Sequence, residues 1–356
     1  MSAVLITGAD GYLGARITRL YARQSAREAI AWLHAAGKAE FEAKRARLAA
    51  WLGGDAARVR FTYGELRAAQ PFLLVDPAEV GLIVHAAAVT RFNVSAELAS
   101  AVNVEGTVRL LQFAERCPRL TAIGVLSSIY ASGLQEGMIE EVPFASAPEF
   151  ANHYERSKWR SEQALAAYGN LPWRLFRVAT VIADDESGRM ARHNAVHNTL
   201  KLLHRGLISL VPGSPETPLY FVTGDFVAGN VCELMERGTN GAIYHLAPAR
   251  EASLTLGELL GIAWATFERS PDFVRRGLLY PSYVPYAAFE RLAQGVSGFG
   301  GRVLADAVAS VLPFAPQLYV SKFVCNRKLV AAGTQHRLGD SRSLVRECCV
   351  RLAAAA

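Results

Sequence analysis

The chain has 356 residues, 51% of them apolar, and a formal net charge of +6. That is enough apolar material for one large domain with a smaller one grown from its loops, and it excludes a disordered chain. The positive charge is modest and forms no dense Lys/Arg block, which excludes a nucleic-acid-binding surface and suits anionic small molecules.

Residues 3–7 (AVLIT) form an apolar run that reads as a buried strand. A glycine turn follows, and from Tyr12 to about Gln24 the residues Leu13, Ile17, Leu20 and Tyr21 recur at helical spacing. A second strand is expected over 29–33, and an amphipathic helix over 38–52, ended by Gly53-Gly54. Strands are expected at 58–62, 81–85, 121–127 and 173–182, with helices over 99–116 and 154–167. This alternation predicts βαβ units and an α/β fold: a Rossmann-type, doubly wound parallel sheet. It breaks down past residue 183. A helix is expected over 191–206, a strand at 219–223, a helix from Asp225 to Arg237 and a strand at 242–246. We therefore assign 1–185 to the dinucleotide-binding domain, with 219–248 returning to it. Residues 186–218 and 249–356 form mainly a smaller, C-terminal substrate-binding domain. The glycine cluster Gly295, Gly298, Gly300 and Gly301 reads as a lid or a surface loop.

Cys117, Cys232, Cys325, Cys348 and Cys349 are odd in number and include no C-x-x-C. This predicts a reduced, cytoplasmic protein without disulfides or a zinc ribbon. Met1-Ser2-Ala3 runs straight into the first strand, so no signal peptide is expected, and no run is long enough for a membrane span.

The first chemical motif is Thr7-Gly8-Ala9-Asp10-Gly11-Tyr12-Leu13-Gly14. Between a strand and a helix, three glycines let the backbone turn tightly and approach a pyrophosphate at the helix N-terminus. No acidic residue stands at the end of the second strand to hold a ribose 2′-hydroxyl. The nearby His34 and the cations Lys38, Lys44, Arg45 and Arg47 favour a 2′-phosphate, and so NADP(H), with NAD(H) the alternative.

The second motif is Tyr154-Glu155-Arg156-Ser157-Lys158. On a helix, Tyr154 and Lys158 share a face, and an ammonium beside a phenol favours its ionised form. Such a tyrosine exchanges a proton with a carbinol oxygen while hydride moves to or from nicotinamide. Ser128, at the end of a predicted strand, is expected over the same crevice, where its hydroxyl holds the substrate oxygen.

Together these residues resemble the extended short-chain dehydrogenase/reductase family. The likeness runs through TGADGYLG at 7–14, HAAA at 85–88, NVEGT at 103–107, LSSIYASG at 126–133 and YERSK at 154–158. It implies that Ala86, Ala87 and Ala88 flank the adenosine, that Asn103 supports the active site and that Glu65 and Leu66 meet the adenine. It also places Arg177 and Ala179 on the nicotinamide side. Within the family the chain is most similar to the thioester reductase and fatty acyl-CoA reductase branch. The expected substrate is therefore a small-molecule or carrier-bound acyl thioester, or the aldehyde or ketone derived from one, with an acyl carrier protein as partner. A monomer or homodimer is expected. The sequence departs from the family where Val178 follows Arg177, at Ala183, and at His34 and Ala35 after the second strand. A nucleotide-sugar epimerase or dehydratase, a hydroxysteroid-type dehydrogenase and a non-catalytic dinucleotide-binding regulator are the alternatives.

Three further groups lie outside these motifs. His193 and His197, one helical turn apart, lack a third ligand, so no metal site is expected. Asp184, Asp185 and Glu186 read as a solvated loop. Tyr130, Tyr283 and Phe289 are candidates to line a substrate pocket.

Overall fold

A computed structural model of the chain describes residues 2–191, 193–299, 308–309 and 311–354. In chain order the elements are β1 (Ala3–Thr7), α1 (Tyr12–Gln24), β2 (Ala29–His34), α2 (Lys38–Leu52), β3 (Val59–Gly64), β4 (Val80–His85), α3 (Ala96–Ala99), α4 (Glu105–Ala114), β5 (Ala122–Ser128), β6 (Gly137–Ile139), α5 (His153–Ala167), β7 (Trp173–Val178), β8 (Thr180–Ala183), α6 (Ala195–His204), β9 (Leu210–Pro212), β10 (Pro218–Leu219), β11 (Phe221–Thr223), α7 (Gly224–Arg237), β12 (Ala242–Leu246), β13 (Leu254–Thr255), α8 (Leu256–Phe267), α9 (Pro271–Arg275), β14 (Ser282–Val284), α10 (Tyr286–Phe299) and β15 (Lys322–Val324). Helices at Arg327–Ala332 and Ser341–Ala354 close the described chain.

Seven strands make one sheet in the order β12-β7-β5-β4-β1-β2-β3, with every pair parallel. β1, β4 and β5 are buried along their whole length, as strands covered by helices on both faces must be. The chain order reverses between β1 and β4, so a crevice opens there, outside the carboxyl ends of the strands. One sheet face packs Val4, Ile6 and Leu33 against Ile17, Val227 and Val231. The other packs Leu5, Ile30 and Ile83 against Leu110, Leu111 and Phe113. β12 pairs with β7, so the stretch through 246 is part of this body.

A second core begins at Ile182 and joins Leu200, Phe221, Leu254, Leu260 and Phe267 to Leu344, Cys348 and Leu352 of the last helix. The expected single strand over 173–182 is two. It breaks at Ala179, after which β8 leaves the sheet and pairs with β11. The expected helix over 99–116 is also interrupted, by a π-helical turn at Ser100–Val104 between α3 and α4. Gly295 and Gly298 lie in α10 and not in a loop, while Gly300 and Gly301 fall outside the described residues. All five cysteine thiols are free.

Candidate active site

The glycine turn is built as its spacing requires. Gly8 has φ +67°, and a Cβ there would lie 2.7 Å from the Ala87 backbone, so β1 and the HAAA strand end close on each other only with glycine present. A Cβ at Gly14 would run into the Gly8 carbonyl, and so glycine lets α1 start hard against the turn. No side chain caps that start. Its first N–H groups therefore face the crevice unpaired by a capping residue, a geometry that fits a dinucleotide pyrophosphate. Thr7 and Ala86 brace the same edge. Thr7 Oγ1 lies 2.7 Å from His85 Nδ1, and Ala86 N donates to the Thr7 carbonyl.

His85 is a site residue the sequence reading passed over. Its Nε2 lies 3.2 Å from Thr107 Oγ1, so both ring nitrogens are bonded within the protein. Burial, reinforced by the nearby Lys158 charge, pushes its pKa down to about 3, and the ring stays neutral.

Ser128, Tyr154 and Lys158 converge beside this turn. Ser128 ends β5. α5 is capped by Asn152, whose side chain accepts from Glu155 N, and it carries Tyr154 and Lys158 on its buried face. The Ser128 hydroxyl accepts from Tyr130 N at 3.2 Å and lies by the Tyr154 phenol, whose pKa it pulls down. Lys158 Nζ donates to the Leu126 carbonyl at 2.9 Å. The expectation that the lysine draws the phenol downward is not met. Tyr154 is only 8% exposed, and burial pushes its pKa up to about 12 against the opposing pull of Ser128. The neutral, proton-bearing phenol is therefore the form held at this site. Burial draws Lys158 down to about 8, and Glu162 one turn along opposes it.

Asn103 works through other residues. It sits in the π turn, where the extra residue turns its amide out of the helix ladder. Its Oδ1 accepts from Val89 N, and its Nδ2 donates to the Val89 carbonyl and to Ser157 Oγ. It thereby pins the loop after β4 to α5 between Tyr154 and Lys158.

Several residues expected at the cofactor are spent elsewhere. Arg177 is fully buried, and its guanidinium grips both Glu162 oxygens, at 2.8 to 3.2 Å. It also donates to the Glu140 and Val142 carbonyls and meets His245 Nε2, leaving no nitrogen for a ligand. The Tyr12 hydroxyl bonds Asp184 and the Ala183 carbonyl, anchoring α1 to the second body. Leu66 is buried against Gly106 of α4, and Glu65 pairs with Arg67. Ala179 N is taken by the Leu246 carbonyl. Asp184 is no solvated loop residue. It is buried, pairs with Arg16 at 2.5 Å and accepts from Tyr12.

At the end of β2, Lys44 reaches back from α2. Its Nζ donates to the His34 carbonyl at 2.6 Å and lies near Glu40 and Asp10, at 2.8 and 3.6 Å. Lys38 opens α2, exposed and without an ion pair among the described residues. Arg47 is equally exposed but stands nine residues further on, roughly 13 Å along the axis at 1.5 Å per residue. Of the two, Lys38 stands at the start of α2, nearer in the chain to the end of β2. Leu13 and Ala88 are half-buried beside the turn.

His197 caps α6 with Asn194 and stacks on His193, and no three potential metal ligands gather among the described residues. Tyr130 packs beside Tyr154 through Phe92. Tyr283 packs instead on the second core, and Phe289 on a satellite cluster with Val308 and Ala315.

A glycine cradle at the switch point of a parallel sheet, with a Ser–Tyr–Lys group over the same strand ends, defines a nicotinamide-dependent oxidoreductase of the extended short-chain dehydrogenase/reductase type. Residues 6–231 match the model of the NAD-binding family described as male sterility protein, and the chain belongs to that family. A 67-residue stretch is 36% identical to fatty acyl-CoA reductase 2, chloroplastic, of Arabidopsis thaliana. It covers 19% of this chain and only 11% of that relative. Among solved structures, the terminal R domain from the myxalamid PKS-NRPS biosynthetic pathway aligns with a TM-score of 0.78 and 20% identity, covering 100% of this chain and 91% of that one. A thiolation-reductase di-domain from an archaeal non-ribosomal peptide synthetase gives 0.71 at 16% identity, over 98% and 74%. UDP-glucuronic acid 4-epimerase from Bacillus cereus, in complex with NAD, gives 0.66 at 15%, over 99% of both chains. At these identities the structural likenesses establish the fold. No described helix is long and apolar enough to cross a membrane.

Proposed function

We propose that the protein is an NADP(H)-dependent reductase of acyl thioesters carried on a phosphopantetheine or CoA thiol, releasing the aldehyde and the free thiol. The observation that carries this reading is the meeting of Ser128, at the end of β5, with the buried α5 face that bears Tyr154 and Lys158, the phenol kept neutral by burial. The dinucleotide, when bound, supplies hydride to the carbonyl carbon. The Ser128 hydroxyl holds the carbonyl oxygen in place. Tyr154 gives its proton to that oxygen as charge builds there, and a phenol that resists ionisation at neutral pH is loaded for this direction; the C–S bond of the resulting hemithioacetal then breaks as its hydroxyl proton passes to the departing sulfur, freeing aldehyde and thiol. Lys158 keeps a positive charge beside the pair, and Asn103 fixes the register of the helix that bears both residues.

The preference for NADP(H) rests on the end of β2, where Lys38 stands exposed without an ion pair among the described residues, while Lys44 is held by Glu40 and Asp10. The carrier-bound substrate is supported by the relatives named for acyl-CoA reduction and for a thiolation-reductase pair. Five free thiols suit a reducing, cytoplasmic setting.

The test is to incubate the protein with NADPH or NADH and acyl-CoA, carrier-bound acyl, aldehyde and sugar-nucleotide substrates. Loss of reduced dinucleotide and product mass are followed together. NADPH oxidation matched by aldehyde or alcohol from a thioester is the expected result. Turnover of a sugar nucleotide alone, without net dinucleotide oxidation, refutes it.

A further inference from the structure

Three aromatic rings form one cluster that meets Tyr154 through Phe92, and they come from separate parts of the chain. Phe92, on the loop after β4, meets Tyr154 edge-on with ring centres 5.7 Å apart. Phe314, from the segment before β15, lies 5.0 Å from Phe92 and crosses Tyr130 at 90° and 5.2 Å. Phe92 and Tyr130 are themselves near-perpendicular at 6.2 Å. These spacings are those of mutually attractive ring pairs. The wall is almost without polarity, because the Tyr130 hydroxyl is bonded to Thr180 Oγ1 at 2.9 Å. The rings thus leave a ligand one free hydroxyl, that of Tyr154, with Ser128 beside it. One carbonyl oxygen satisfies that pair. A polyhydroxylated ring would bury hydroxyls with no partners, at a cost of about 1–3 kcal/mol each.

Phe314 is seated by a buried polar cluster that ties its segment to α5. The Pro313 carbonyl accepts from Asn152 Nδ2, which also donates to Glu155. Gln317 Nε2 and Lys322 Nζ both donate to the Gly133 carbonyl, at 3.0 and 2.6 Å. The carboxylate of Glu155, adjacent to Tyr154, accepts from Ala151 N and from Asn152 Nδ2, both at 3.0 Å. Glu155 is 0% and Lys322 3% exposed. These bonds fix one docked position for the segment.

We propose that Phe314 is a specificity-determining residue that closes an aromatic slot for an acyl group flat and apolar next to its carbonyl. The buried Glu155 carboxylate, acting through Asn152 and the Pro313 carbonyl, is the positioning device that seats it. The proposal deepens the thioester-reductase reading and rests on it for the identity of the reacting group.

The test is binding as well as turnover, so the two readings fail separately. Calorimetry with NADP+ present, using cinnamyl alcohol as a flat apolar probe and UDP-glucose as a polar one, is run on the wild type, Phe314→Ala and Glu155→Gln. The wild type is expected to bind cinnamyl alcohol and not UDP-glucose. Phe314→Ala is expected to weaken cinnamyl alcohol about tenfold without changing NADP+ affinity, and Glu155→Gln to weaken it several-fold in the same selective way. Wild-type preference for UDP-glucose, or an unchanged cinnamyl alcohol affinity in Phe314→Ala, overturns the slot. Equal losses for cinnamyl alcohol and NADP+ in Glu155→Gln overturn the positioning role. Selective, Phe314-dependent binding without any thioester reduction supports the slot and counts against the reductase reading alone.

Discussion

Arg177 offers a sharp test, because the resemblance implies a place on the nicotinamide side and the geometry spends its side chain on Glu162. Replacing it with Met removes a guanidinium that is fully buried and bonded to both Glu162 oxygens. A buried carboxylate stripped of its partner costs about 3–5 kcal/mol. The Glu140 and Val142 carbonyls lose donors at 3.1 and 3.0 Å, adding about 1 kcal/mol between them because water reaches part of that edge. The total, about 5 kcal/mol, is a large share of the roughly 5–15 kcal/mol that holds a native protein together. Urea denaturation followed by circular dichroism is expected to show that loss. Combining Arg177→Met with Glu162→Leu is expected to restore most of it, since no charge is then left buried. Dinucleotide affinity, measured where both forms are folded, is expected to hold within twofold. An Arg177→Met protein as stable as wild type but binding NADPH tenfold more weakly would refute the structural assignment of this arginine.

Tyr154→Phe is expected to lower kcat by about 10²–10⁴ in steady-state assays while fluorescence titration shows unchanged dinucleotide binding, because in the proposed reaction the missing hydroxyl supplies the proton. Burial lowers Lys158 to about 8 from its ordinary 10.5. The folded protein therefore sheds this proton before the unfolded chain does, and the lysine's contribution to stability rises as pH climbs from about 8 to 10.5. The working ammonium is lost over the same interval, so kcat/KM is expected to fall with a midpoint near 8 even as urea midpoints in that range hold or increase. Lys38→Ala is expected to raise the NADPH dissociation constant about fivefold, the worth of one exposed charge contact of roughly 1 kcal/mol, and to leave that for NADH unchanged.

The parallel core was legible because strands buried on both faces read as unbroken apolar runs. AVLIT and AIYHL locate β1 and β12 to the residue. The glycine turn was legible because Gly8 and Gly14 answer local demands, a positive φ and a close backbone approach. What escaped depends on partners distant in the chain. The break at Ala179 is invisible in WRLFRVATVI, since only pairing with β11 draws β8 away. The π turn at Asn103 leaves the apolar spacing of 99–116 intact and adds one residue that periodicity does not register. Lys44 looked like any cation on an exposed helix until the fold curled it back over β2. Phe314, in a proline-flanked stretch, gained its place only through Tyr130 and Phe92.

The sheet takes its last strand from beyond the excursion through β8–β11, and that orders the life of the nascent chain. Until β12 leaves the ribosome, β7 offers a bare row of donors and acceptors at the margin of the dinucleotide-binding body. Emergence of Ala242–Leu246 seals that margin and brings His245 against Arg177. A ribosome stalled before this point would present a half-made protein with a sticky rim, a natural substrate for chaperones.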